Sequence, residues 1–309
     1  MSAGIRNSLR NMVGENTYAI LRRCYRLLRG VTNVLIGIVP HPSSRQTMLT
    51  EYDGRFYLLF KNAHDESPLI AGEAYEPTLQ RLMRGLVKPG DTVIDVGANC
   101  GLHTVLLSQL CRAEGLVCAF EPVDYNIQKL MTNLSLNGCR NVALHPYALG
   151  EESGTKALRK IRDAEYFKGN SSLVDNEKLS RELAGQFVLE YIQVRTLDAV
   201  VSECDLEVDL TKIDVEGYEY QVLLGAERTI TTQTPPIIME YFSRRLRHLA
   251  LSENNFRDLL DPYYNAYEIC VSNRHDRYES LEPFSFDREI SGNLLLLSKR
   301  LKRHVDEDS

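Results

Sequence analysis

In Asp91-Thr92-Val93-Ile94-Asp95-Val96-Gly97-Ala98-Asn99-Cys100-Gly101, a β-rich run passes through a glycine turn into a helical pattern that begins near Leu102. Gly97 and Gly101 let the backbone bend tightly and approach a ligand closely. The spacing is G-x-N-x-G, not the G-x-G-x-x-G that cradles a pyrophosphate. Asp95 brings a carboxylate to the turn, where it suits a ligand with an ammonium group, such as the methionine part of S-adenosylmethionine.

The next β-rich run, Val117-Cys118-Ala119-Phe120, ends in Glu121. An acid at the end of the second strand accepts hydrogen bonds from ribose hydroxyls. Capping or surface charge is the structural alternative for both acids. A nicotinamide cofactor has the same ribose, so Glu121 alone does not separate the two ligands.

Outward from this turn the pattern alternates. Strand-like runs at 92–96, 116–120, 141–146, 209–213 and 236–240 are separated by helical patterns near 101–112, 124–137, 196–203 and 218–228. Such alternation predicts an α/β fold, a mostly parallel sheet covered on both faces. After a helix near 252–261, runs at 265–271 and 293–298 lack a crossover helix and predict an antiparallel edge hairpin, seven strands in all. The stretch 152–195 interrupts the alternation with a strand pair, 154–160 and 190–195, placed to cover a substrate. Upstream, Asp53-Gly54 between Thr47–Tyr52 and Arg55–Phe60 predicts a β-hairpin, and a helix is expected at 76–86. The expected division is an N-terminal extension at 1–70, a catalytic domain at 71–300 and a polar tail at 301–309.

The fourth alternating strand ends in Lys212-Ile213-Asp214-Val215-Glu216-Gly217. Asp214 and Glu216 are two apart, so on an extended chain they point the same way. Two convergent acids serve as base and orienter, as oxygen ligands for Mg²⁺, or as N-terminal caps of the following helix. Glu240 ends the next strand and either joins Asp214 around a metal or substrate hydroxyl or pairs with Arg244. His103, just after the glycine turn, is a lone histidine beside the expected pocket.

Composition narrows the classes. The chain has 309 residues, 42 acidic and 36 basic, for a net charge of −6, which does not describe a nucleic-acid-coating protein. Residues 1–30 nevertheless carry six Arg against Glu15 alone. Within them, 16–29 reads as an amphipathic helix whose Arg22, Arg26 and Arg29 form either a solvated face or a contact with an anionic membrane surface. The seven Cys form no C-x-x-C pair and read as reduced, buried thiols of a cytoplasmic protein. No stretch reaches the ~18 apolar residues of a membrane-spanning helix. Hydrolase, zincin and P-loop motifs are absent.

The residues resemble the FkbM family of S-adenosylmethionine-dependent methyltransferases over about 70–300. The likeness rests on Tyr75-Glu76-Pro77, Pro89-Gly90-Asp91, Asp95-Val96-Gly97-Ala98-Asn99-x-Gly101, Phe120-Glu121-Pro122, Asn133, Asn137, Ser171-Ser172, Arg195-Thr196-Leu197-Asp198, Lys212 to Gly217 and Asn293-Leu294. It implies a Rossmann-like class I methyltransferase fold and methyl transfer to a hydroxyl of a sugar, glycolipid or polyketide-type acceptor. Asp95, Gly97, Asn99, Gly101 and Glu121 would then hold S-adenosylmethionine, with Ala148 and Leu149 at the adenine. Asp214 would be the base, with Glu216 and Glu240 supporting it, or Asp214 and Glu240 would be Mg²⁺ ligands. Cys100 and His103 depart from the branched apolar and aromatic residues usual there, and residues 1–65 lie outside the likeness. The competing readings are a nicotinamide-dependent oxidoreductase, disfavoured by G-x-N-x-G, and a non-catalytic nucleoside-binding module, disfavoured by the intact acids.

Overall fold

Central strands that are buried on both sides can only sit inside a layered fold, and β3 (Thr92–Val96) and β4 (Leu116–Phe120) are buried at every position. The computed structural model describes residues 47–60, 75–161, 172–173, 187–243, 252–271 and 278–302. The basic helix expected at 16–29, Ser171 and the tail beyond residue 302 lie outside them.

The main sheet also contains β5 (Val142–His145), β10 (Leu210–Ile213), β11 (Ile237–Phe242), β12 (Tyr264–Val271), β13 (Tyr278–Pro283) and β14 (Ser291–Ser298). Its order is β13-β12-β14-β11-β10-β3-β4-β5. The strands from β11 to β5 are parallel neighbours, whereas β14 runs antiparallel to both β11 and β12. The chain starts in the middle at β3, builds outward through β4 and β5, then returns to β10 on the other side of β3. The strand order therefore reverses between β3 and β10, where open α/β sheets bind ligands.

Among the described residues the sheet has eight strands, not the seven expected from sequence. The extra strand, β13, pairs antiparallel with β12 at the edge. Its residues, Tyr-Glu-Ser-Leu-Glu-Pro, are mostly polar, as edge strands are when they resist pairing with other chains. The expected edge hairpin is thus more elaborate, with β14 inserted between β11 and β12.

Helices cover both faces. On one face, α1 (Pro77–Leu86) and α2 (Leu102–Cys111) bury Leu79, Met83, Leu106 and Leu107 against Val93, Val117, Leu210 and Ile238. On the other, α4 (Leu197–Cys204), α5 (Glu219–Leu224), α6 (Glu227–Thr232) and α7 (Glu253–Leu260) close over Ile94, Val96, Phe120, Ile213 and Met239. Between β4 and β5 runs α3 (Asp124–Leu136). The single helical pattern expected at 218–228 is two short helices. The chain bends at Gly225, where an added Cβ would lie 1.9 Å from the Gly150 carbonyl oxygen, so no side chain fits there.

A second sheet accounts for the interruption at 152–195. It joins β6 (Ala148–Leu149), β7 (Gly154–Ile161), β8 (Ser172–Leu173) and β9 (Phe187–Arg195) in the order β6-β9-β7-β8. Upstream, β1 (Thr47–Tyr52) and β2 (Arg55–Phe60) form the expected hairpin, with Asp53 and Gly54 both at positive φ as a two-residue turn requires. The cysteines at 100, 111, 118, 139, 204 and 270 are free thiols.

Candidate active site

The glycine turn takes its shape from three left-handed residues, Gly97 (φ 78°), Asn99 (φ 50°) and Gly101 (φ 89°). Asparagine is among the few side chains that visit this region readily, so G-x-N-x-G meets the backbone demand of the turn. Gly97 and Ala98 N–H both donate to the Phe120 carbonyl at 3.0 Å, tying the turn to β4. A Cβ on Gly97 would lie 1.9 Å from the Asp214 carbonyl oxygen. The turn and the end of β10 are therefore pressed together at the reversal point of the sheet.

A cavity of about 370 Å³ opens there, lined by Gly97, Asn99, Glu121, Ala148, Leu149, Asp214, Glu216 and Glu240. Eight of the ten residues singled out from the sequence thus face one space, within the size range of small-ligand pockets, roughly 300–1,000 Å³. Asp95 and Gly101 do not line it. Asp95 falls on the sheet face covered by α2 because strand residues alternate. It is fully buried, and its Oδ2 accepts a hydrogen bond from Thr104 Oγ1 at 2.7 Å. Its carboxylate supports the site from below and does not stand at the turn. Gly101 starts α2, and an added Cβ there would meet Leu130.

Glu121 is held on three sides. Its Oε2 accepts from Asn99 N–H at 2.9 Å, and its Oε1 accepts from Val123 N–H at 3.0 Å and Asn126 Nδ2 at 3.2 Å. Burial pushes its pKa up from the ordinary carboxyl value, and these hydrogen bonds partly oppose that. Apolar Phe120, Leu149 and Leu158 lie alongside. Leu158 comes from β7, so the inserted sheet lines the same cavity as Glu121.

Asp214, Glu216 and Glu240 each offer an oxygen within 4.8 Å of the others. The convergence does not come from a straight chain, since Glu216 (φ 57°) and Gly217 (φ 102°) turn it sharply. Glu216 is no helix cap: α5 starts at Glu219, after Tyr218. Glu219 fixes the loop, its Oε1 accepting from Gly217 N–H at 3.0 Å and Val215 N–H at 3.3 Å. Burial raises its pKa to about 7.

Lys212 also lines the cavity, although its place in the sequence suggested only a strand residue. A cation inside the apolar run Leu210-Thr211-Lys212-Ile213 was the available signal, since buried charges demand partners. Its Nζ lies 3.3 Å from Asp214 Oδ2 and 3.5 Å from Asp95 Oδ1. Burial alone would push its pKa down, but the carboxylates of Asp214, Asp95 and Glu76 outweigh that and hold the ammonium above its ordinary value. His103 and Glu76 complete this side, His103 Nε2 lying 3.3 Å from Glu76 Oε2. Burial and then the Lys212 charge push His103 well below the ordinary histidine value, leaving a neutral imidazole. Lys212, Glu76, Tyr218 and Glu219 are contributions to the site that the spacing of motifs did not single out.

No helix among the described residues is long and apolar enough to cross a membrane. The family model of the methyltransferase FkbM domain matches residues 95–261. AMB antimetabolite synthetase AmbE of Pseudomonas aeruginosa is 28% identical over 216 residues, 60% of this chain and 10% of that protein. The 31-O-demethyl-FK506 methyltransferase FkbM of Streptomyces tacrolimicus is 27% identical over 161 residues, 46% of this chain and 61% of that protein. The chain therefore spans less than two thirds of the length of either relative. Among solved structures, a methyltransferase FkbM from Methylobacillus flagellatus is similar with a TM-score of 0.42 and 18% identity, covering 70% of this chain and 50% of that one.

Proposed function

The chain belongs to the FkbM methyltransferase family, and from that premise we propose that it transfers the methyl group of S-adenosylmethionine to a hydroxyl of a sugar, glycolipid or polyketide-type acceptor. The observation that carries this reading is the joint placement of Glu121 and Asp214 in one cavity on either side of the Gly97 turn.

The donors fit the cofactor. Glu121 Oε1 already accepts two hydrogen bonds and Oε2 one, so Oε2 keeps a lone pair for a ribose hydroxyl. Phe120, Ala148, Leu149 and Leu158 supply an apolar slot for the adenine. When bound, the cofactor supplies a sulfonium whose methyl carbon is electrophilic. An alcohol is a poor nucleophile at neutral pH and needs a proton acceptor. Asp214 takes that role, its carboxylate steadied by the Lys212 ammonium. Glu216 and Glu240 accept hydrogen bonds from the acceptor and orient it.

The spacing of the three carboxylates supports a second reading of their role. Oxygen ligands within 4.8 Å of one another match the hard donor set of Mg²⁺, with Asp214 and Glu240 as ligands.

Calorimetric titration with S-adenosylmethionine and with NAD, each with and without Mg²⁺, tests the assignment. Saturable binding of S-adenosylmethionine alone is expected. The Asp214→Asn variant should bind it within about twofold of wild type yet transfer no methyl group to hydroxyl acceptors. Binding of NAD, or of neither ligand by a folded sample, overturns the proposal. A requirement for Mg²⁺ in transfer would favour the metal reading of the acids.

A further inference from the structure

The β1–β2 hairpin lies outside the residues matched by the family, yet its contacts end on the glycine turn. Phe56 N–H donates to Asn137 Oδ1 at 3.0 Å, and Asn137 Nδ2 donates back to the Phe56 carbonyl at 2.7 Å. The same Nδ2 donates to the Asn133 carbonyl at 2.8 Å. Asn133, fully buried, then donates from Nδ2 to the Cys100 carbonyl at 2.8 Å. This amide chain leads from the backbone of β2 to the residue that follows Asn99.

Tyr57 reaches the turn as well. It is fully buried, packs in one cluster with Ala98, Cys100 and Leu102, and its hydroxyl lies 3.4 Å from the Leu102 carbonyl. A third anchor lies farther off, with Arg55 Nε donating to Gln109 Oε1 at 2.8 Å near the end of α2. A turn with three left-handed residues, one of them not glycine, keeps its shape only where its surroundings over-determine it. The hairpin supplies part of that determination.

We propose that the β1–β2 hairpin is a positioning element of the cofactor site, with Tyr57 and the Asn137–Asn133 pair fixing the Cys100 carbonyl and the start of α2 so that Asn99 N–H stays on Glu121. This rests on the methyltransferase reading of that site and extends it to a segment beyond the family match. Coupling between two sites is reciprocal. If the hairpin strengthens cofactor binding, the bound cofactor stabilises the hairpin by the same factor.

The test uses the full chain and S-adenosylhomocysteine, with affinity read by calorimetry and amide hydrogen exchange followed in β2. Asn137→Ala is expected to weaken binding about tenfold and Tyr57→Phe about threefold. Saturating ligand should slow exchange of the Phe56 and Tyr57 amides about tenfold in wild type and not in Asn137→Ala. Wild-type affinity in Asn137→Ala, with unchanged protection of β2, overturns the role. If Asn137→Ala fails to fold, the wild-type exchange decides, and no ligand-dependent protection of β2 overturns the proposal. A folded wild-type chain that binds no S-adenosylhomocysteine is a different failure. It overturns the methyltransferase reading, and the hairpin's role falls with it.

Discussion

His145 packs against Phe120, which lines the cavity, its ring stacked at 4.6 Å and its Nδ1 3.0 Å from the Tyr147 hydroxyl. Burial, reinforced by the Arg195 charge, pushes its pKa down to about 4. An unfolded histidine titrates near 6.5, so between these values the unfolded chain binds the extra proton. The stability that neutral His145 contributes is therefore complete above about pH 6.5 and is lost as pH falls toward 4, on the order of 3 kcal/mol in all. Urea unfolding at a series of pH values should show that acid slope, and His145→Phe, which keeps the stacking, should flatten it by that amount. An unchanged slope in the variant would assign acid sensitivity elsewhere. His103 is shifted in the same direction, so the difference between the two proteins is the quantity to read.

At the scale of elements, Thr196-Leu197-Asp198 acts as a joint between helices. Thr196 Oγ1 accepts from Ala199 N–H at 3.2 Å and caps α4, while Leu197 is buried in the core. Asp198 reaches across to α6, accepting from Arg228 N–H and Thr229 N–H, each at 2.8 Å, and from Thr229 Oγ1 at 2.6 Å. Loss of such a cap costs about 1–2 kcal/mol. Asp198→Ala should lower the urea midpoint accordingly while changing affinity for S-adenosylmethionine less than about twofold, because Asp198 does not line the cavity. A large loss of affinity would show that the joint positions the site as well as the helices. Much at this scale was legible in the sequence, because β4 is an unbroken apolar run, β3 is broken only by Asp95 after Thr92, and Asp53-Gly54 admits a two-residue hairpin. The edge strand β13 was hidden by its polarity. The break between α5 and α6 at Gly225 was hidden because the helical period continues through that residue. In the site, residues at strand ends could be placed from their own strand's pattern. Asp95 could not, since its environment is set by α2 and by Lys212 on a strand more than a hundred residues later.

Across the whole molecule, the two halves of the parallel sheet meet at β3 and β10, where Lys212 stands in register with Asp95. Both are essentially buried, and their charged atoms lie 3.5 Å apart beneath the cavity. A buried ion pair of this kind adds little net stability over an apolar pair, but removing one partner strands the other and costs about 3–5 kcal/mol. The same ammonium also faces Asp214, so one charge joins the seam of the sheet to the proposed base. Lys212→Met should therefore destabilise the fold by about that amount, and Asp95→Asn in the same background should recover a substantial part, on the order of 1–3 kcal/mol of coupling. Urea unfolding of wild type, both single variants and the double variant measures this cycle. Additive losses would mean that the two charges act independently. Coupling would mean that the junction of the sheet and the chemistry above it rest on one shared cation. In that case Lys212→Met with Asp95→Asn would recover part of the stability without recovering methyl transfer, because Asp214 would still lack its ammonium partner.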